Sequence, residues 1–238
     1  MASVSIVIPA YNEAKRLPST LNKIKSFLSS KKLKYEIIVV NDGSSDETAK
    51  AAISVKGLKV TLISNKKNMG KGYCVNRGVK KAKNDIILFT DADLSTPVKF
   101  LSPFLKLHSK GNDVVAASRA LNRKLVKKRQ PIHRDMMGRI FNVFVRLITG
   151  LKIKDTQCGF KSFKKSAAKK IFSKQTIFDF GFDVEILYIA SLHGFKIAES
   201  PVEWYDSPAT KVNPLMDSLR MFGGLFAIRL KSIKGIYR

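Results

Sequence analysis

Along the first half of the chain, apolar residues follow two alternating rhythms. Short runs rich in β-branched residues, Val4 to Ile8, Tyr35 to Val40, Lys59 to Ser64, Ile86 to Thr90 and Val114 to Ala117, read as strands. Between the first two, Leu17, Leu21, Ile24 and Leu28 recur at helical spacing, with Pro18 in a first turn where its missing N–H is tolerated. Asp42-Gly43-Ser44-Ser45-Asp46 supplies a turn and N-cap oxygens for a helix over Glu47 to Ser54. Asn68 to Gly72 is a glycine-containing loop into a helix ending near Lys83, and Pro97 to Ser109 reads as one further helix. Strands alternating with helices predict an α/β fold with a doubly wound, mainly parallel sheet covered on both faces. Ligands of such a sheet gather at the carboxyl ends of its strands. Tyr11, Asn12, Glu13, Asp42, Asp91 and Asp93 all lie just beyond a predicted strand, so the pattern itself nominates a site.

After Ser118 the rhythm changes. Arg119 to Arg134 carries seven basic residues (Arg119, Arg123, Lys124, Lys127, Lys128, Arg129, Arg134) and little apolar periodicity, the pattern of a loop that orders on an anion. A helix follows from about Asp135 to Thr149, then a strand at Gly159 to Phe163 and helices over Ala167 to Phe172 and Val184 to Leu192. In the last segment, Leu215 to Ile233, helical spacing sets Leu215, Leu219, Phe222, Phe226 and Leu230 on one face, with Arg220, Arg229, Lys231 and Lys234 nearby. No linker or low-complexity tract divides the chain, and a single domain is predicted.

With 238 residues, 45% of them apolar, the chain has enough material for one packed core. No apolar run reaches the roughly 18 to 20 residues that cross a bilayer. Met1 to Ser5 leads straight into a strand pattern rather than a signal peptide, which predicts a cytoplasmic chain. Cys74 and Cys158 lack metal-binding spacing and are expected to be reduced thiols. The net charge of +26 attracts polyanions: nucleic acid, an anionic membrane surface or phosphorylated substrates; the plainer alternative is a solvated basic surface. Nucleic acid is disfavoured, because Arg119 to Arg134 contains no aromatic residue on which a base could stack.

Two carboxylates one residue apart at a strand end, Asp91 and Asp93, are able to hold a divalent cation if the chain leaves the sheet there. Magnesium or manganese, which favour carboxylate and phosphate oxygen, are the expected ions, with a nucleoside diphosphate completing the ligand set. Asp42 has two readings: acceptor of hydrogen bonds from a nucleotide base, or the residue that ends its strand and shapes the Asp-Gly turn. Glu13 likewise serves either the site or the dipole of the helix it precedes. Asp183 either orients substrate hydroxyls together with Glu185 or caps the helix beginning near Val184. Gln157 and Cys158 are expected to shape a loop on the acceptor side, unless Cys158 is simply a small buried apolar residue. Of the histidines, His108 falls in a predicted surface helix and His193 at a helix end; only His133, beside Arg134, is close to the expected site.

Ile8-Pro9-Ala10-Tyr11-Asn12-Glu13, Val39-Val40-Asn41-Asp42-Gly43-Ser44-Ser45-Asp46-Glu47-Thr48, Asn68-Met69-Gly70-Lys71-Gly72 and Thr90-Asp91-Ala92-Asp93, in this order, resemble the inverting GT-A glycosyltransferases. Asp93-Leu94-Ser95-Thr96-Pro97, Asp155-Thr156-Gln157-Cys158-Gly159-Phe160-Lys161, Phe182-Asp183-Val184-Glu185 and the ending Gly235-Ile236-Tyr237-Arg238 resemble the dolichyl-phosphate glucosyltransferases among them. The resemblance implies a GT-A, Rossmann-like domain with a nucleotide-sugar-binding half (1–117), an acceptor-side extension (118–213) and a C-terminal amphipathic helix (214–238). It implies that Pro9, Tyr11, Glu13, Asp42 and Lys71 line the nucleoside pocket, that Asp91 contacts ribose or diphosphate, and that Asp93 ligates the metal. Arg119 and Arg134 match positions that bind lipid phosphate or donor diphosphate, and Lys211 matches a basic residue near the diphosphate. Ser95 stands where the related mannosyltransferases usually have Gln, a departure favouring UDP-glucose over GDP-mannose. The implied reaction is inverting transfer of glucose from UDP-glucose to a polyprenyl (dolichyl-type) phosphate at the cytoplasmic face of a membrane, with the last helix either entering the interface or packing on the domain. The competing reading is a related transferase using another donor, such as GDP-mannose, or a glycan or protein acceptor.

Overall fold

The computed structural model describes residues 3–31, 33–207 and 214–238. The described residues form nine strands and eight α-helices, of which five strands and four helices alternate through the nucleotide-side half in the order read from the sequence: β1 (Ser3–Ala10), α1 (Leu17–Lys31), β2 (Lys34–Asn41), α2 (Thr48–Ile53), β3 (Val60–Ser64), α3 (Lys71–Lys81), β4 (Ile86–Thr90), α4 (Leu101–Ser109) and β5 (Val114–Ser118). There follow β6 (Val126–Lys128), α5 (Ile132–Thr149), β7 (Phe160–Lys164), α6 (Lys165–Lys174), α7 (Phe182–Leu192), β8 (Ile197–Pro201), β9 (Trp204–Tyr205) and α8 (Pro214–Ile233). Seven strands form the central sheet in the order β3-β2-β1-β4-β7-β5-β8. All its pairings are parallel except those of β7, which runs antiparallel to both β4 and β5.

Successive strand residues point to opposite faces, and the core divides accordingly. Val7, Ile38, Val40, Ile87 and Phe89 join one cluster with residues of α3, α5, α6, α7 and α8. Ile6, Ile8, Ile37, Val39 and Leu88 join the other, with residues of α1, α2 and α4. Burial on both faces is why these strands carry almost no polar alternation. Because β1 lies between β2 and β4, the chain reverses its direction of travel across the sheet there, and the carboxyl ends of β1, β2 and β4 open onto a shared crevice.

Several expectations are refined. The helix expected over Pro97 to Ser109 is a 3-10 turn (Val98–Phe100) followed by α4. His108 is not on the surface: it is buried, with Nδ1 on the Asn112 carbonyl at 2.9 Å and Nε2 on Ser162 Oγ at 2.7 Å. Burial lowers the His108 pKa, which keeps the ring neutral. The basic stretch 119–134 contains a short strand, β6, paired with β9, and α5 begins three residues earlier than the apolar spacing indicates. On α8, Leu225 and Ile228 are buried against the domain while Phe226 and Leu230 face outward, so Phe222, Phe226 and Leu230 do not act as one face. Lys211 lies outside the described residues, as do the side chains of Leu215, Leu219 and Arg220.

Candidate active site

At the end of β4 the chain turns sharply out of the sheet. Leu94 N–H donates to the Asp91 carbonyl at 3.1 Å, and Leu94 itself takes a left-handed φ of 49°. Asp93 Oδ1 accepts from the Ser95 N–H at 2.9 Å, and the carbonyl of buried Ala92 accepts the Thr20 hydroxyl from α1 at 2.6 Å. The turn therefore anchors its middle residue in the core and leaves both carboxylates on a cavity of about 380 Å³. Lys71, Arg119, Arg134 and Asp183 line the same cavity, so six residues expected to act together from four separate motifs meet there.

Lys71, the first residue of α3, ion-pairs with Asp91 at 2.5 Å. Burial works against its positive charge, but Asp91, Asp183 and Asp93 together outweigh that effect and raise its pKa, so it stays an ammonium. Its position is set by Asp42, whose buried carboxylate accepts from Asn65 Nδ2 (2.7 Å), Met69 N–H (2.8 Å) and Gly70 N–H (2.9 Å). Asp42 thus ties the 65–70 loop to the end of β2. Gly70 has a φ of 97°, and a Cβ there would stand 2.4 Å from the Phe178 carbonyl oxygen, so glycine alone fits the start of α3.

The remaining nucleotide-side candidates sit beside this cavity rather than on its lining. Pro9 is within β1, opposite Val40, and Tyr11 is exposed at the strand's end. Asn12 has a φ of 52°; its N–H donates to Ser44 Oγ and Glu13 N–H donates to Thr48 Oγ1, which stitches the β1 loop to the β2 loop. Glu13 holds Arg16 in a two-pronged pair (2.6 and 2.7 Å), and Arg16 reaches Ser207 Oγ at 2.7 Å, a residue of the cavity wall. His133 is exposed and is not among the lining residues.

Arg119 follows β5 and is held by Asp155 through two bonds, Nε to Oδ2 at 2.7 Å and Nη2 to Oδ1 at 2.8 Å. Its guanidinium also lies 5.2 Å from the centre of the Trp204 ring. Burial raises the Asp155 pKa, but the Arg119 guanidinium overcomes this and holds the carboxyl below the usual range. Arg134, by contrast, has no ion-pair partner among the described residues. At the cavity floor, Asp183 is bonded by Lys161 Nζ at 2.5 Å, and Lys161, on β7, is fully buried, donating also to the Cys158 carbonyl at 2.8 Å. The residue preceding α7 is Gly181, with no side-chain cap, so Asp183 does not serve as the helix cap. Glu185 is turned away: its oxygens accept from Thr176 N–H, Ile177 N–H, and the hydroxyls of Thr176 and Tyr237. Cys158 is buried, and desolvation pushes its thiol up to about 11, so it is unreactive.

The arrangement lines one cavity with a carboxylate pair, Asp91 and Asp93, and with the guanidinium groups of Arg119 and Arg134, a mixed set of charges able to hold both a cation and anions. Residues 5–172 match the family described as glycosyl transferase family 2. The chain belongs to that family. It is therefore a glycosyltransferase, and its curated relatives extend the match to nearly the whole length. It is 36% identical to the dolichyl-phosphate beta-glucosyltransferase of Dictyostelium discoideum over 99% of this chain and 76% of that one. The human dolichyl-phosphate beta-glucosyltransferase is 35% identical over 99% and 77%. Among solved structures, glucosyl-3-phosphoglycerate synthase of Mycobacterium tuberculosis superposes with a TM-score of 0.68 at 20% identity, covering 95% of this chain and 80% of that one. A complex of that enzyme with Mn2+, UDP and glucosyl-3-phosphoglycerate gives a TM-score of 0.69 at 20% identity, with the same coverage. These neighbours establish the GT-A fold.

Sequence reasoning assigned no role to Trp204, nor to Asp155 or Lys161, although the last two stand at the ends of one of the quoted motifs. Gly159 carries a further constraint: a Cβ built on it would lie 1.9 Å from Asp91 Oδ2. Gly159→Ala is expected to displace Asp91 from Lys71 and slow transfer by about 100-fold, the scale of a misplacement near 1 Å. Steady-state kinetics beside far-UV circular dichroism tests this; unchanged kinetics would show that Asp91 does not need its present position.

Proposed function

We propose that the protein transfers glucose from UDP-glucose to a polyprenyl (dolichyl-type) phosphate with inversion at the anomeric carbon. The observation that carries the reading is the shared cavity, whose lining includes the carboxylates of Asp91 and Asp93 and the guanidinium groups of Arg119 and Arg134. The names of the relatives, each a dolichyl-phosphate beta-glucosyltransferase, support glucose and a lipid phosphate as the pair of substrates. UDP and UDP-glucose in complexes of the structural neighbour support the donor.

Asp93 fits a divalent cation. Among the described residues its Oδ1 accepts a backbone N–H and it forms no ion pair of the kind that occupies Asp91, although the charges of Arg16 and Lys71 are felt there. No cluster of three or more ligating side chains occurs among the described residues, so the donor diphosphate must complete the ligand set, which suits Mg2+ or Mn2+. Bound there, the cation would neutralise the departing diphosphate. Asp91, restrained by Lys71, is suited to the ribose or diphosphate. The acceptor phosphate has a second pKa of about 6 and is largely dianionic near neutrality, so no strong base is required. One of its oxygens forms the new bond to the anomeric carbon as the bond to UDP breaks, with the electron pair leaving on UDP. Arg134 and the outward N–H groups of Arg119 hold the attacking phosphate, while Asp183, fixed by Lys161, is placed to orient sugar hydroxyls. Measuring nucleoside diphosphate release across a panel of sugar nucleotides with one polyprenyl phosphate tests the donor. UDP-glucose should be preferred, and preference for GDP-mannose would overturn the assignment.

No helix among the described residues is long and apolar enough to cross a membrane, yet the acceptor is a membrane lipid. Peripheral attachment is supported by apolar side chains that α5 and α8 leave outward: Ile132 (78% exposed), Leu147 (75%) and Ile233 (74%), with Phe226 and Leu230. The two helices are joined by Phe222 packing edge-on against Phe141 and Phe144 at 5.4 Å. Removing α8 would delete the buried Leu225 and Ile228 and uncover the core residues they pack against, so point variants are the cleaner test. Phe226→Asp with Ile233→Asp should abolish flotation with anionic liposomes without changing the folded spectrum. Undiminished flotation would exclude α8 from the contact.

A further inference from the structure

Adjoining the donor cavity, and sharing Arg119 with it, lies a second one of about 520 Å³ whose other basic residues have no part in the transfer described above. Its cationic lining is Arg119, Arg123, Arg129, Arg139, Arg146 and Lys154. The chain as a whole contains 33 lysines and 11 arginines, yet this cavity takes five arginines and one lysine. A basic surface serving only solubility would draw on the abundant lysine; a planar guanidinium is the group that binds phosphate oxygens in pairs.

The acidic residues present do not balance this charge. Asp155 is committed to Arg119, and Asp135 is shared by Arg123 (2.7 Å) and Arg139 (2.6 Å). Arg129, Arg146 and Lys154 have no carboxylate partner among the described residues. Gathering like charges around one concavity is unfavourable unless an anion enters it. The rim adds Ile132, Met136 and Val143, all exposed on α5, so an apolar tail could leave the cavity along that helix. Arg119, Gln130, Gly138 and Trp204 line both cavities, so the two adjoin, while Arg123, Arg129, Arg139, Arg146 and Lys154 line this one alone.

We propose that this cavity is a second phosphate-binding site, taking a phosphate-bearing anion in addition to the donor and acceptor phosphates. The anion is either the headgroup of an anionic phospholipid or a free phosphate. The full-length chain, with UDP and Mg2+ present, is titrated calorimetrically with inorganic phosphate and, separately, mixed with vesicles of phosphatidylcholine alone or with added phosphatidic acid. Arg146 and Lys154 line this cavity and not the donor one, so binding lost on their replacement reports this cavity, whereas binding that survives it reports the acceptor site at Arg119 and Arg134. Wild type should bind phosphate, the phosphatidic acid vesicles, or both; binding to both or to phosphate identifies a free anion as sufficient, and binding to the vesicles alone identifies the lipid headgroup. The double variant Arg146→Ala/Lys154→Ala should weaken that binding by about tenfold or more, the scale of losing charge-assisted hydrogen bonds. Lys169→Ala/Lys170→Ala, which removes the same charge from exposed positions on α6, should bind as wild type does. The proposal is overturned if wild type binds neither probe, if the first double variant binds undiminished, or if the α6 variant loses as much.

Discussion

Asp93→Asn is expected to lower transfer by about a thousandfold while leaving the fold unchanged. Asparagine keeps an oxygen in the place of Asp93 Oδ1, so the 2.9 Å bond from the Ser95 N–H and the turn after β4 survive. What disappears is a carboxylate charge that lines the cavity and, among the described residues, has no ion pair. A cation at a departing diphosphate supplies several kcal/mol of charge stabilisation, and about 4 kcal/mol corresponds to the stated factor. The loss should appear in kcat/KM, and raising the Mg2+ or Mn2+ concentration should recover part of it. Cys158→Ala, by comparison, should retain activity, because the buried thiol fills space and makes a weak 3.5 Å contact with the Thr96 hydroxyl, without lining the cavity. A fully active Asp93→Asn enzyme would refute the metal assignment.

Lys161→Met should be the most destabilising single change near the site. The ammonium is fully buried, bonded to Asp183 at 2.5 Å and to the Cys158 carbonyl at 2.8 Å, and lies 5.3 Å from the centre of the Phe89 ring. Methionine fills the space but leaves a buried carboxylate without its partner, which costs about 3 to 5 kcal/mol. Asp183 would also lose the bond that fixes it at the cavity floor, so transfer should fall in the fraction that remains folded. Adding Asp183→Asn removes the uncompensated charge and should restore part of the stability without restoring activity. Urea unfolding of the two single variants and the double variant measures the coupling. If Lys161→Met costs no more than a surface substitution, the pair contributes nothing to the site's architecture.

The strands that carry the donor site were legible because a strand buried on both faces leaves an unbroken apolar run, as Val4 to Ile8 and Ile86 to Thr90 do. The alternation of strands and helices then placed Asp91 and Asp93 at the carboxyl end of a strand of a mainly parallel sheet, whereas the position of β1 between β2 and β4 came only with the structure. β8 was not legible. It is an edge strand with Glu199 at its centre, and that carboxylate is occupied by the N–H groups of Lys154 and Asp155. β6 and β9 span three and two residues, too few for any period to register. Lys161 reads as a solvent-facing strand residue until its partner, 22 positions away in sequence, is brought beneath it. His108 was misjudged for a similar reason, since Ser162 on β7 is what draws it inward. The two readings of Asp42 depended on backbone donors, Met69 and Gly70, whose direction no side-chain pattern records.

The reaction itself is tested most directly by incubating the full chain with UDP-glucose labelled in the sugar, with Mg2+ or Mn2+, in the presence and absence of polyprenyl phosphate. Label should pass into the organic-extractable fraction only when the lipid phosphate is present, with the glucose in β linkage. Label that stays aqueous, or that enters glycan or protein instead, would contradict transfer to a lipid phosphate.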